Sequence, residues 1–340
     1  MSEQSWKADA PVVAVAFDRS SRQAAFALGD GTVRLVEAGG EPRIAECHAG
    51  AALALVPDAA KTGFVSGGDD GKLIRIAADA SQATLATFPG KWIEQIATSE
   101  VGGIAFGAGR EVMRLDRAGA PQGAPFPHPS TVAGVVFDPK GKRLAVAHYG
   151  GVSLWWCKAQ EQKPKLLAWR GSHVLVSWSP DGAYVMSATQ ENDLHGWRLS
   201  DANDLRMSGY PTKVKSLAWS ARPSYLASSG ADQIVCWPFA GAGPSGKAPI
   251  EFGGRGGALV TVVAAHPKGD WLAAGYDEGA VGVGQISEKR VRLMLAPTGG
   301  RAASLAWSAD GRWIAAGDED GTMRLVAFGE ASSSAMLTRP

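Results

Sequence analysis

An all-β ring of repeated four-stranded units, a β-propeller, is the fold this sequence predicts, and three observations carry the prediction. The first is composition. Glycine (43) and proline (19) together exceed their share of an ordinary chain, and 12 tryptophans accompany them. Many turns plus many large aromatics mean many short strands. The second is self-similarity. An apolar run that closes on an aromatic or small residue recurs with its end at residues 17, 56, 97, 137, 178, 219, 265 and 307. These intervals of 39 to 46 residues average about 41, the length of a four-stranded propeller unit. The third is the constant order of turn signals inside each copy.

Each copy opens with the run that defines it, as in Val13–Phe17, Ala133–Phe137, Leu175–Trp178, Ser216–Trp219 and Ser304–Trp307. A turn follows, in the style of Ser179-Pro180-Asp181-Gly182 or Asp138-Pro139-Lys140-Gly141, where proline presets φ and glycine supplies the open φ of a tight turn. A second apolar run comes next, for example Leu144–Ala147, Trp271–Ala274 or Trp313–Ala316. The hairpin dipeptides Asp30-Gly31, Asp70-Gly71 and Asp320-Gly321 lead into an alternating third run such as Leu73–Ile76 or Met323–Leu325. A variable fourth run closes the unit. The nearly continuous apolar character of the first run predicts an innermost strand buried on both faces.

Eight copies predict eight blades in one ring over residues 1–328; the alternative is seven blades, with the eroded copy around Gln95–Leu115 set aside. The last copy ends on its third strand, at Thr322–Phe328. Glu3–Asp9, anchored by Trp6, is therefore expected to supply the missing fourth strand and remove two raw edges. Ala240–Ala258 reads as a surface loop and residues 329–340 as a disordered tail.

These turns and runs resemble the WD40 family: Phe or Trp followed by Ser-Pro-Asp-Gly, then Leu-Ala-Ser, then Asp-Gly-Thr-Met-Arg-Leu. The resemblance spans about residues 3–328. No copy keeps the Trp-Asp dipeptide; Trp155, Trp197 and Trp237 are followed by Trp156, Arg198 and Pro238. The resemblance implies a buried His, Ser/Thr, Asp and Trp network within a blade. His48 and His173 echo its histidine, Asp70, Asp232 and Asp320 match its aspartate, and Glu191 and Glu278 are weaker substitutes.

Composition also excludes. With 34 basic and 33 acidic residues the net charge is +1, without the positive excess that nucleic-acid binding needs. No apolar run reaches the roughly 18 residues of a membrane span, and Met1–Gln4 lacks a secretion-signal n-region. Cys47, Cys157 and Cys236 show no CxxC spacing and read as reduced thiols of a cytoplasmic protein. The Ala/Gly-rich, Arg-over-Lys style suits a bacterial source. Gly253–Gly257 resembles a phosphate loop only superficially, since it opens no helix. There is no GxSxG elbow and no HExxH helix. His48, His128 and His173 each precede an inner strand but stand on different blades, so no metal and no cofactor is expected.

In WD40 proteins the loops entering the inner strands and the turns between second and third strands share one docking face. The resemblance places Trp92, His128, Tyr149, His173, Tyr210, Lys213, Arg255, Tyr276 and Arg301 there. Trp92, Tyr149, Tyr210, Arg255, Tyr276 and Arg301 are the expected partner contacts, because exposed aromatics and arginines carry binding energy. Trp92 and Tyr210 have a second reading, as plugs between blades. Trp178, Trp219 and Trp307 end inner strands and are expected in the core. The functional expectation is a monomeric, non-catalytic scaffold for a protein or peptide. The alternatives are small-molecule, metal or enzymatic chemistry in the central funnel, near Asp18 and Asp138, and an accessory role in bacterial metal homeostasis.

Overall fold

Strand β1 (Glu3–Lys7) opens the chain, and its partner lies more than three hundred residues away. A computed structural model of the chain describes residues 3–158, 163–201, 203–221, 224–241 and 243–329. The first copy forms β2 (Val12–Phe17), β3 (Gln23–Leu28), β4 (Thr32–Glu37) and β5 (Arg43–Glu46). The second forms β6 (Ala52–Pro57), β7 (Phe64–Gly68), β8 (Lys72–Ile76) and β9 (Gln82–Thr87). The third forms β10 (Ile96–Ser99), β11 (Gly103–Ala108), β12 (Glu111–Leu115) and the two-residue β13 (Phe126–Pro127). The fourth and fifth share β14 (Gly134–Phe137), β15 (Arg143–Trp156), β16 (Lys165–Trp178), β17 (Tyr184–Thr189), β18 (Leu194–Arg198) and β19 (Asp204–Met207). The sixth forms β20 (Leu217–Trp219), β21 (Tyr225–Ser228), β22 (Ile234–Pro238) and β23 (Ile250–Phe252). The seventh forms β24 (Val260–Ala265), β25 (Trp271–Tyr276), β26 (Val281–Gln285) and β27 (Arg290–Leu295). The last forms β28 (Ala302–Trp307), β29 (Trp313–Asp318) and β30 (Thr322–Ala327).

All pairings are antiparallel, and the described residues make seven hydrogen-bonded sheets: six of four strands and one of six, ordered β14-β15-β16-β17-β18-β19. The expected eight separate blades are thereby corrected to seven sheets. The cause is not the eroded copy, since Gln95–Leu115 builds the regular pair β10–β11 and the inner part of β12. Instead β15 and β16 run 14 residues each and pair past the end of the fourth copy, with Tyr149 opposite Ser172. Gly151 and Gly171, at φ of 143° and 128°, let the two strands cross from one copy to the next. The six-stranded sheet is creased there, and Ala145, Val152, Leu167, Trp178, Val185 and Trp197 pack between its halves.

Ring closure follows the sequence expectation. β1 pairs with β30, Trp6 opposite Met323, and Ala8 N–H donates to Gly321 O at 2.9 Å. A Cβ on Gly321, at φ 85°, would strike the carbonyls of Ala8 and Ala10, so glycine is needed for the returning segment to seat. Val12, Phe17, Phe26, Met323 and Leu325 fill the seam, with Trp6 against them.

Burial within a copy differs from the expectation. The second strands are the ones buried at every position, as in β3, β7, β11 and β17. Inner strands such as β2 and β20 keep half-buried positions. An inner strand borders the central axis, whereas a second strand is covered on both faces by neighbouring sheets. Five inner strands also carry a register shift near their start, at Val12, Ala52, His173, Val260 and Ala302. Such irregularities add local twist.

Candidate partner-docking face

The turns after the inner strands are clamped by their own side chains. Ser179 and Ser308 Oγ accept from Tyr184 N and Trp313 N, at 2.9 and 3.0 Å. Asp18 and Asp138 do the same work: Asp18 Oδ1 accepts from Arg22 N at 3.0 Å, and Asp138 Oδ1 from Lys142 N at 2.7 Å. Asp138 also holds Arg143 Nε at 3.0 Å, and both carboxylates are buried. They are thus bound into turns, not aimed at the axis. At that end of the axis lies a cleft of about 520 Å³, beside Arg19, Thr98 and Phe137. Arg19 is tied down across it, donating to Asp58 O at 2.7 Å and Thr98 Oγ1 at 2.9 Å.

At the opposite end, loops entering inner strands meet the turns between second and third strands. His48 N–H donates to Gly31 O, Ile93 N–H to Gly68 O, His128 N–H to Arg110 O and Val260 N–H to Ala231 O, each at 2.8–3.0 Å. Beneath this face lie the polar networks. His48 Nδ1 is 3.0 Å from Asp70 Oδ1, and its Nε2 is 3.0 Å from Ser66 Oγ. Burial pushes the imidazole pKa down despite the Asp70 bond, so neutral His48 donates from Nδ1 and accepts from Ser66. Burial works against ionised Asp70, but bonds from Lys72 N, His48 and Ala49 N outweigh it and hold its carboxyl below the usual range. The Ser–His–Asp order is that of a hydrolase triad, yet Ser66 is fully buried inside the sheet and no substrate reaches its hydroxyl.

The remaining copies solve the same position differently. Trp155 Nε1 donates to His128 Nε2 at 3.0 Å, and burial, then the neighbouring His148, lowers the His128 pKa to about 4. His173 is buried, with Nδ1 2.7 Å from Ser187 Oγ and Nε2 3.1 Å from Trp169 O. In the sixth copy Tyr210 stands where the histidine is expected. Its hydroxyl is 2.6 Å from Ser228 Oγ and accepts from Trp237 Nε1 at 2.8 Å. In the last copy Asp318, not Asp320, is the capping carboxylate: it accepts from Thr298 Oγ1 at 2.7 Å and Thr322 N at 2.8 Å. Asp232 and Asp320 are exposed, and Glu278 pairs with Arg255.

These networks correct two expected contacts. Tyr210 is buried by its bonds to Ser228 and Trp237. Tyr276 is fully buried, its hydroxyl donating to Gly253 O at 2.6 Å. Neither stands exposed on the face. Arg255 is half-buried over Tyr276, with Nη2 2.9 Å from Glu278 and its guanidinium 5.4 Å over the Tyr276 ring. Arg301 is half-buried, 3.7 Å from Glu319. Lys213 is exposed, whereas His128 and His173 are buried. Of the inner-strand tryptophans, Trp178 is buried, while Trp219 and Trp307 are half-buried and bridge neighbouring copies through Ser177 Oγ and Ala264 O, at 3.0 and 3.2 Å.

Trp92 and Tyr149 do stand out, at 63% and 62% exposure. They flank one loop, because Tyr149 N–H donates to Ser130 Oγ at 2.9 Å while Thr131 and Val132 share a cleft of about 260 Å³ with Trp92. Beside Tyr149 a second cleft of about 610 Å³ is lined by Trp169, Arg170, Glu191, Asp193 and Arg206. Trp169 is stacked on buried His195 at 3.8 Å, and Arg206 holds Asp193 at 2.9 Å. Sequence reasoning missed Trp169, Arg170 and Arg206. The signal was present: Trp169-Arg170-Gly171 sits just ahead of an inner-strand run, the position that singled out Trp92. Among the described residues no group of three or more His, Cys, Asp or Glu could hold a metal ion. No described helix is long and apolar enough to cross a membrane.

Comparisons with known proteins agree with this architecture. The model of the WD domain, G-beta repeat, matches residues 204–237, and that of the anaphase-promoting complex subunit 4 WD40 domain matches residues 263–337. A chromatin assembly factor 1 subunit FAS2 homolog of Oryza sativa subsp. japonica is 30% identical over 128 residues, 35% of this chain. The chain spans about a quarter of that relative's length. A crystal structure of the computationally designed Ika8 protein superposes with a TM-score of 0.76 at 18% identity, over 95% of this chain and 98% of the other, which shows the propeller fold. Its repeat period, its His48–Ser66–Asp70 network and the two matching repeat models make the chain similar to WD40-repeat proteins.

Proposed function

We propose that this propeller is a non-catalytic scaffold that docks a protein or peptide on its loop face, with Trp92 and Tyr149 as anchors. The observation that carries the reading is the pair of large aromatics, exposed on either side of the 127–133 loop and each beside a cleft. An exposed ring next to a cleft is the arrangement from which binding hot spots are built. WD40 propellers in general bind protein partners. The matched relative and the matched subunit 4 domain are both named as subunits, which supports the same direction. Arg255 and Arg301 belong to the polar rim of the face, already paired with Glu278 and Glu319. We read the chain as a monomer of the bacterial cytoplasm; three free cysteines fit a reducing compartment.

Affinity purification of tagged protein from its native lysate, with quantitative mass spectrometry, tests the reading. Trp92→Ala and Tyr149→Ala should each reduce partner recovery by about tenfold or more. Their stability should stay within about 0.5 kcal/mol of the parent, as for exposed positions elsewhere. Partners retained in full by the double variant would refute docking at this face.

A further inference from the structure

The third copy also carries a buried cation, Arg114, with no carboxylate partner among the described residues. We propose that the cleft over Arg114 is a second binding site, which takes a carboxylate of an acidic peptide. The cleft, of about 750 Å³, is lined by Arg114, Gln122, Phe126, Trp155, Cys157 and Lys158, with Gly and Pro walls. The outer strand of the third copy is only the two residues of β13, opposite Glu111 and Val112; farther along β12 the cover is a loop, with Gln122 N–H donating to Arg114 O at 2.8 Å.

Arg114 is 9% exposed. Its Nη1 donates to Cys157 O, and Nε has no acceptor among the described residues. Among the described residues no carboxylate lines the cleft, which Arg114 and Lys158 share. Burial pulls the Arg114 pKa down, which marks a charge held without adequate solvation. The platform below is fixed. The guanidinium lies 4.1 Å over the Phe126 ring, Phe126 stacks on Trp155 at 4.2 Å, and Trp155 is bonded to His128. An incoming carboxylate meets a guanidinium pre-set by its bond to Cys157 and its stack on Phe126, the planar cation that such groups pair with. Charge complementarity therefore selects an anion. The volume and the aromatic and proline walls leave room for the chain that carries it.

Fluorescence anisotropy on the full chain tests this, using a labelled Gly-Ser-Glu-Glu-Leu-Glu-Gly peptide and its Gln-for-Glu counterpart. The acidic peptide should bind about tenfold or more tighter than the neutral one. Arg114→Met should remove that preference, and Arg114→Lys should restore it only in part. Lys158→Glu, which leaves the Cys157 bond intact, should also abolish it and serves if Arg114→Met does not fold. Trp92→Ala and Tyr149→Ala should leave peptide affinity unchanged, so this site and the loop face fail separately. Equal binding of the two peptides, or full affinity in a folded Arg114→Met variant, overturns the proposal. So does a Glu161→Gln variant that binds far more tightly than the parent, because the cleft would then serve a carboxylate of its own chain.

Discussion

Tyr276 shows how much one side chain changes meaning between sequence and structure. It follows a second strand and precedes an Asp-Glu-Gly turn, which reads as a turn tip. In the fold it is the last residue of β25, fully buried, with its ring under Arg255 and its hydroxyl on Gly253 O. Burial, only partly offset by Arg255, raises that hydroxyl's pKa to about 12, so it remains a donor at neutral pH. Tyr276→Ala should cost about 3–5 kcal/mol, as large aromatic deletions do. Tyr276→Phe should cost only about 0.5–1.5 kcal/mol, the net worth of one hydrogen bond. Chemical denaturation of the two variants measures both; equal losses would mean the ring contributes nothing beyond its hydroxyl. Tyr210 was equally misleading, because nothing in Gly209-Tyr210-Pro211 announces that Tyr replaces His beneath Trp237. Trp92 and Tyr149 were legible, since their loops precede or join strands and their neighbours are small or polar.

Strands were far more legible than residues, because each is specified by a run and two turns. The closing strand β1 could be inferred from simple counting: the last copy lacked a fourth run, and Glu3–Lys7 alternated in the right place. Its register is fixed by Trp6 opposite Met323 and by the latch at Gly321. Deleting residues 1–9 should expose the edge of β30 and lower the melting temperature, with aggregation on heating. A synthetic peptide of residues 1–10 added back should raise it again, by mass action. An unchanged thermal profile would show that β1 adds nothing to closure. What could not be read was the joining of the fourth and fifth copies. Tyr149-Gly150-Gly151 and Arg170-Gly171-Ser172 look like the ends of separate hairpins, and only their positive φ angles in the folded chain turn them into one continuous ladder. The burial pattern was misjudged for a related reason: small apolar runs do not say which strand borders the axis.

For the whole ring, the histidines make stability depend on pH in a defined direction. His48 and His128 stand in separate copies and His173 and His195 share the fifth, and burial lowers the pKa of all four; for His128 and His195 the value falls from 6.5 to about 4. His195 illustrates the balance: Asp204 at 3.5 Å favours the charged ring, but full burial under Trp169 outweighs it. A depressed histidine pKa means that the unfolded chain binds more protons than the fold between about 6.5 and about 4. The stability contributed by the neutral rings is therefore complete above about pH 6.5, and is lost progressively as pH falls through that window. Asp70 acts lower. Its carboxyl is held below 3.8, so its contribution is present above that value and disappears only under stronger acid. Thermal unfolding followed from pH 7.5 to 4.5 should thus show a steady fall in melting temperature. His195→Gln should flatten that fall while lowering the plateau above pH 7, since the amide carries no proton to gain but packs less well against Trp169. A melting temperature flat between pH 7.5 and 4.5 would mean that the rings take up protons in the folded state without loss, and that their burial is not what holds them neutral.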